Sequence, residues 1–233
     1  MDAKTYCKKT AAFAGWIIQN IPADLTETEM DIWMGRPDDT KSFLTGFHKP
    51  ELVQKLYKRI FTVAATTNLR AITGKKTRDC FPTSSPRYAY RGGDFDNWLP
   101  ANQPNADACV ITTLALAKEW TFVEGAATIL GIGAGTGIAL LGKSLIENGH
   151  TMTLVQAEEM VEKTECNEKT GMRTDGYGNF FFVETGDPEN PVSVGFVDRG
   201  GRDWRARVFS LDFGGRWDAF SRLLVRNLDT SKL

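Results

Sequence analysis

The last forty residues of this chain are dense in arginine, aspartate, phenylalanine and serine, side chains well suited to gripping another molecule. Arg205 and Arg207 carry guanidinium forks, which hold carboxylates or phosphates at two points and stack on aromatic rings. Asp198, Asp212 and Asp218 supply carboxylates, Ser210 and Ser221 hydroxyls, and Phe196, Phe209, Phe213 and Phe220 the apolar anchors of an interface. An Arg- and Phe-rich surface of this kind suits recognition. Between them stand Trp204, Ala206, Val208, Leu211, Trp217, Ala219, Leu223, Leu224 and Val225, which read as framework. Seven of the chain's fourteen arginines fall between Arg199 and Arg226, while its lysines lie almost wholly upstream.

Catalytic chemistry is less well supplied. The two histidines, His48 and His150, sit in no recognisable nucleophile or general-base setting. Glu158 and Glu159 are neighbours on an expected helix, so they diverge and read as a solvated face. Cys7, Cys80, Cys109 and Cys166 form no CxxC pair and read as buried thiols in a reducing compartment. No group of acids has calcium-loop spacing. No catalytic residue, metal or cofactor is therefore expected. One string competes with this view: Ala127–Leu130 followed by Gly131-Ile-Gly133-Ala-Gly135-Thr-Gly137 looks like a strand entering a phosphate-cradling loop and a helix. It is similar to motif I of S-adenosylmethionine-dependent methyltransferases, which implies the alternative function, a methyltransferase or nucleotide-binding enzyme using the 131–137 loop. Against that stand a glycine at 131 where the motif carries a carboxylate, no second strand ending in an acid, and no alternating β/α pattern. A glycine-rich helix–loop packing segment is the favoured reading.

Composition of the tail points elsewhere. From Gly195 to Ser231 there is no Lys, Glu, Gln, Met, Ile, Tyr or His, although 142–190 is crowded with Lys and Glu. What fills the gap is Arg, Asp, Gly, Phe and Ser, all reachable by randomising the first two bases of an Asn codon, which can never yield Lys, Glu, Gln, Met or Trp. The framework residues have codons that can be written without adenine. Trp204-Arg205-Ala206 recurs as Trp217-Asp218-Ala219, each with a permitted random residue between two fixed ones. Together with the ending Arg222-Leu-Leu-Val-Arg226, this stretch resembles the variable proteins of diversity-generating retroelements, whose C-terminal variable region is rewritten from a template at adenine positions. The resemblance covers roughly the last sixth of the chain. It implies a C-type-lectin-like scaffold, a variable region at about 196–222 with Phe196, Asp198, Arg205, Arg207, Phe209, Ser210, Asp212, Phe213, Asp218, Phe220 and Ser221 as the candidate ligand-contacting set, a protein ligand more than a sugar, and no catalysis.

At 233 residues, with 42% apolar and 24% charged residues, the chain can bury a sizeable core. A net charge of -1 gives no global drive toward nucleic acid or anionic lipid. A helix-turn-helix around Asn148-Gly149 and through His150–Glu162 is disfavoured, because Glu158, Glu159 and Glu162 would face phosphates. No stretch approaches a membrane span, and Ala11–Ile18 after Lys8 and Lys9 is a poor signal peptide, so the cytoplasm is the default address. The helical first half is read as a support or oligomerisation module, with a homo-oligomer among the expected partners.

The expected architecture is α+β: a helical bundle over 1–72, then a mixed part over 73–233 whose β-rich, lectin-like portion spans about 176–233. Helices are expected at 3–20, from Thr26, and from Pro50 with Leu52, Leu56, Ile60 and Val63 on one face. A further helix is expected over Ala106–Trp120, and another opens at the capping box Thr153–Gln156. Tyr88–Phe95 is distantly similar to the Arg-Gly-Gly element of sulfatase-modifying-type lectin folds and is read here as a turn. Strands are expected at Asn179–Val183, Val192–Val197, Trp204–Leu211 and Leu223–Leu228.

Overall fold

The computed structural model describes residues 61–117, 119–132 and 135–228. The helices expected at 3–20, from Thr26 and from Pro50 to residue 60 lie outside the described residues. Within them the chain forms β1 (Phe61–Leu69), β2 (Tyr88–Arg91), α1 (Asp94–Trp98), β3 (Cys109–Leu116), α2 (Phe122–Leu130), α3 (Ile138–Glu147), α4 (Leu154–Glu165), β4 (Asn179–Glu184), β5 (Val192–Gly200), β6 (Asp203–Ser210) and β7 (Arg222–Arg226). The strands make one mixed sheet in the order β1-β3-β7-β4-β5-β6-β2, parallel only at β4/β7 and β2/β6. The class is α+β.

Both faces of the sheet bury apolar side chains, so its central strands are apolar on both sides rather than alternating. Along β4, Phe181 and Val183 enter one core with Leu154, Ala157, Met160 and Val161 of α4. Phe180 and Phe182 point the other way, into a second core with Phe122 and Ala126 of α2 and Leu141 and Leu145 of α3. The backbone at Gly195 allows the close fit opposite Phe181, its register partner: a Cβ there would lie 2.2 Å from the Phe181 ring. Gly195→Ala is therefore expected to cost about 1–3 kcal/mol by overpacking, read as a lowered urea midpoint; an unchanged midpoint would show that the ring has room to move.

The four strands expected after residue 176 are present, as is α4, whose Thr153 hydroxyl accepts from Gln156 N–H while Gln156 Oε1 accepts from Thr153 N–H. Three upstream expectations are corrected. Ala106–Trp120 is not a helix: its β-branched run Val110–Thr113 forms β3, paired antiparallel with both β1 and β7. Val63 belongs to strand β1 rather than to the end of a helix. Tyr88–Arg91 is an edge strand rather than only a turn, held parallel to β6.

Ala127–Leu130 lies in α2, not in a strand. Thr121 Oγ1 accepts from Glu124 N–H at 3.2 Å and Glu124 Oε2 accepts from Thr121 N–H at 2.7 Å, a second capping box that starts the helix. Gly131 ends it in the left-handed conformation at φ +67°. The strand required by a phosphate cradle or a methyltransferase motif is thus absent at this place, where a helix, α2, stands instead. Nor do α3 and α4 form a DNA-binding pair, since they pack on opposite faces of the sheet.

Candidate functional site

Strand β6 sorts the tail residues by parity. Trp204, Ala206 and Val208 are buried against α4, in the first core. Arg205, Arg207 and Phe209 turn to the opposite face, where they are half-buried, exposed and half-buried in turn. That face is roofed by α2 and α3 over the central strands. Near the β2 edge the side chains of β6 reach solvent.

Arg205 and Asp198 are cross-strand partners in the β5/β6 ladder. Arg205 donates from Nε to Asp198 Oδ1 at 2.9 Å and from its terminal nitrogen to Oδ2, a two-point pair in which the Asp198 side chain is only 8% exposed and the Arg205 side chain 39%. Gly200 leaves room for this guanidinium to lie across the hairpin end. Arg207 has no carboxylate partner among the described residues; its guanidinium stands over the Tyr90 ring, 5.3 Å from the centroid.

Phe209 continues into an aromatic cluster. Its ring lies 5.3 Å from Phe213 and 5.4 Å from Trp217, and Trp217 stacks on Phe122 of α2 at 4.8 Å. Phe196 closes the cluster from β5, 5.1 Å from Phe180. Phe213 is 45% exposed and Phe220 58% exposed, the latter resting on Tyr177 at 5.2 Å. Asp212 and Asp218 are exposed at turns; Asp212 is bonded to the Ser210 hydroxyl, and the Asp218 carbonyl accepts from Ser221 N–H at 3.1 Å.

The candidate set therefore splits. Arg207, Asp212, Phe213, Asp218 and Phe220 are exposed, and Arg205, Phe209 and Ser210 are partly so. Phe196, Asp198 and Ser221 are buried and act beneath the surface, as packing, counter-charge and turn residues. The framework group is buried except Trp217 and Ala219, which are half-covered. Sequence parity missed Tyr90, which meets the tail only through the long-range β2/β6 pairing.

Elsewhere the chemistry is quiet. A shallow cleft of about 290 Å³ is bordered by Ile72, Lys75, Arg87, Val155, Glu158 and Glu162. Both of its cations are already paired, Lys75 to Glu158 at 2.6 Å and Arg87 to Glu162 at 3.4 Å and to Glu165 at 2.7 Å, and Glu159 adds a further carboxylate to the rim. Glu158 is thus not a solvated side chain as expected; it also accepts from Phe81 N–H at 2.7 Å. Burial, with Glu158 nearby, pushes the Cys80 thiol up to about 12, so it is no nucleophile. Among the described residues there is no cluster of three or more His, Cys, Asp or Glu able to hold a metal, and no helix long and apolar enough to cross a membrane.

His150 is a structural ring: its Nδ1 lies 3.1 Å from the Arg226 carbonyl, and burial holds its pKa below the ordinary value, against that bond. The unfolded chain then takes up the proton more readily than the fold. Stability that is full above the ordinary histidine range falls as the pH drops through it. His150→Gln is expected to flatten this acid limb in urea melts at successive pH values; an unchanged limb would assign the loss to other groups.

Compared with known proteins, this chain matches no protein-family model, no curated protein and no solved structure.

Proposed function

We propose that the protein is a ligand-binding protein of the diversity-generating-retroelement kind, whose stretch at about 196–222 displays variable side chains on a C-type-lectin-like scaffold and takes a protein ligand without catalysis. The observation that supports this reading is the division along β6. Residues that adenine mutagenesis leaves alone, Trp204, Ala206 and Val208, are buried at 0–3% exposure, whereas the intervening Arg205 and Arg207 turn outward. A diversified surface needs this separation, because substitutions at solvent-facing positions away from special contacts change stability by only about 0.5 kcal/mol. Exposed Phe213 and Phe220 add the aromatic anchors that interfaces favour.

The decisive experiment is genomic. Sequencing around the gene should reveal a near-copy of the codons for residues 196–222 that differs only at adenines, together with a reverse transcriptase gene. Absence of both would remove the proposal.

A further inference from the structure

The tail meets a constant element whose geometry is specialised. Tyr88 opposes Trp204, Tyr90 opposes Arg205 and Arg91 opposes Ala206, so the β2/β6 ladder slips by one residue at Ala89. Without that slip Tyr90 would share the side of Tyr88, which is buried in the α4 core. The irregularity re-aims Tyr90 to the outer face, the kind of redirection for which bulges recur beside binding sites. There Tyr90 is 45% exposed beneath Arg207, while Gly92 N–H donates to the Ala206 carbonyl at 2.9 Å and keeps β2 and β6 together. Arg91, sent to the inner side, donates to the carbonyls of Cys80 and Thr77 and pairs two-point with Asp96, which anchors the strand behind Tyr90.

The geometry points to Arg207 and Tyr90 as a carboxylate-binding subsite for an acidic segment of the protein ligand, an inference that rests on the ligand-binding reading above. Arg207 is oriented by the ring below it and has no carboxylate partner among the described residues. Its neighbour Arg205 is already occupied by Asp198, so one guanidinium fork is free. Over 198–207 four arginines (199, 202, 205 and 207) outnumber two aspartates (198 and 203), a local charge of +2 in a chain of net charge -1. Along the same face of β6 the half-buried Phe209 follows Arg207 at a two-residue step, about 6.6 Å. An extended segment carrying Asp or Glu two residues from an apolar side chain matches that spacing, placing its carboxylate on Arg207 and its apolar group against Phe209 and Phe213. A nucleic-acid backbone would present anions without the apolar partner.

The probe is a fluorescein-labelled peptide of alternating design, Glu-Ser-Phe-Ser repeated three times, titrated by anisotropy at near-physiological salt. Saturable binding is expected, weakened about tenfold by Arg207→Gln and severalfold by Tyr90→Ala. Arg70→Gln, beyond β1 at the opposite edge of the sheet, should leave it unchanged. Replacing the peptide's Glu by Lys should abolish binding. Variants are compared only where the urea midpoint matches the parent, which the exposure of both side chains favours. No saturable binding, equal binding by Arg207→Gln and Tyr90→Ala, or tighter Arg207-dependent binding of oligo-dT would each overturn the assignment. The genomic test is independent: a template copy without peptide binding removes only this subsite. Peptide binding with neither template nor reverse transcriptase leaves a constant acidic-ligand site and removes the diversified reading.

Discussion

Trp204→Ala is expected to cost about 3–5 kcal/mol, the range for emptying a fully buried aromatic site. The indole has no exposed surface, packs in the core beneath α4, and donates from Nε1 to Glu165 Oε1 at 3.1 Å. Glu165 also accepts from Arg87 Nε at 2.7 Å, so loss of the indole would loosen the link between β6, α4 and the segment leading into β2. Phe213→Ala, by contrast, removes a ring that is nearly half in water and should cost no more than about 1 kcal/mol. Urea unfolding of both variants measures the gap. Similar losses for Trp204→Ala and Phe213→Ala would contradict a framework that is independent of its decoration.

Arg205→Ser is the second large effect, and it limits that independence. Removing the guanidinium takes the counter-charge from Asp198, whose side chain is 8% exposed while the pair is intact, and breaking such a pair from one side costs about 2–4 kcal/mol. The double variant Asp198→Ser/Arg205→Ser should recover much of this, because no buried charge remains. A double-mutant cycle should therefore show coupling of at least about 1 kcal/mol between the two positions. Additive losses would mean that water reaches Asp198 freely. If the coupling is found, positions 198 and 205 cannot vary freely of one another: a variant with an acid at 198 should keep Arg at 205, or fold less stably. Arg207, Asp212, Phe213, Asp218 and Phe220 carry no such constraint.

Legibility of the chain followed the range of the forces involved. The strands from Asn179 onward could be read because aromatic and β-branched runs between glycine turns specify strands locally, and α4 could be read from the Thr153–Gln156 box alone. The helix expected over 106–120 failed for the opposite reason. A short apolar run such as Val110–Leu114 is compatible with a helix or a two-faced strand, and only pairing with β1 and β7 chose the strand. At Ala127–Leu130 a strand-like string became a helix because the Thr121–Glu124 cap, several residues upstream, set the backbone.

What this sequence determined by itself is the separation between apolar framework and polar or aromatic decoration in the tail, since side-chain type and the two-residue period of a strand are local properties. Which decorated positions reach solvent was decided only by tertiary structure. Phe196, Asp198 and Ser221 resemble their exposed neighbours in type, yet the aromatic cluster, the Arg205 pair and the turn after Asp218 cover them. Tyr90 entered the same surface through a one-residue slip in a pairing between strands more than a hundred residues apart, and cross-strand register of that range has no local sequence signal.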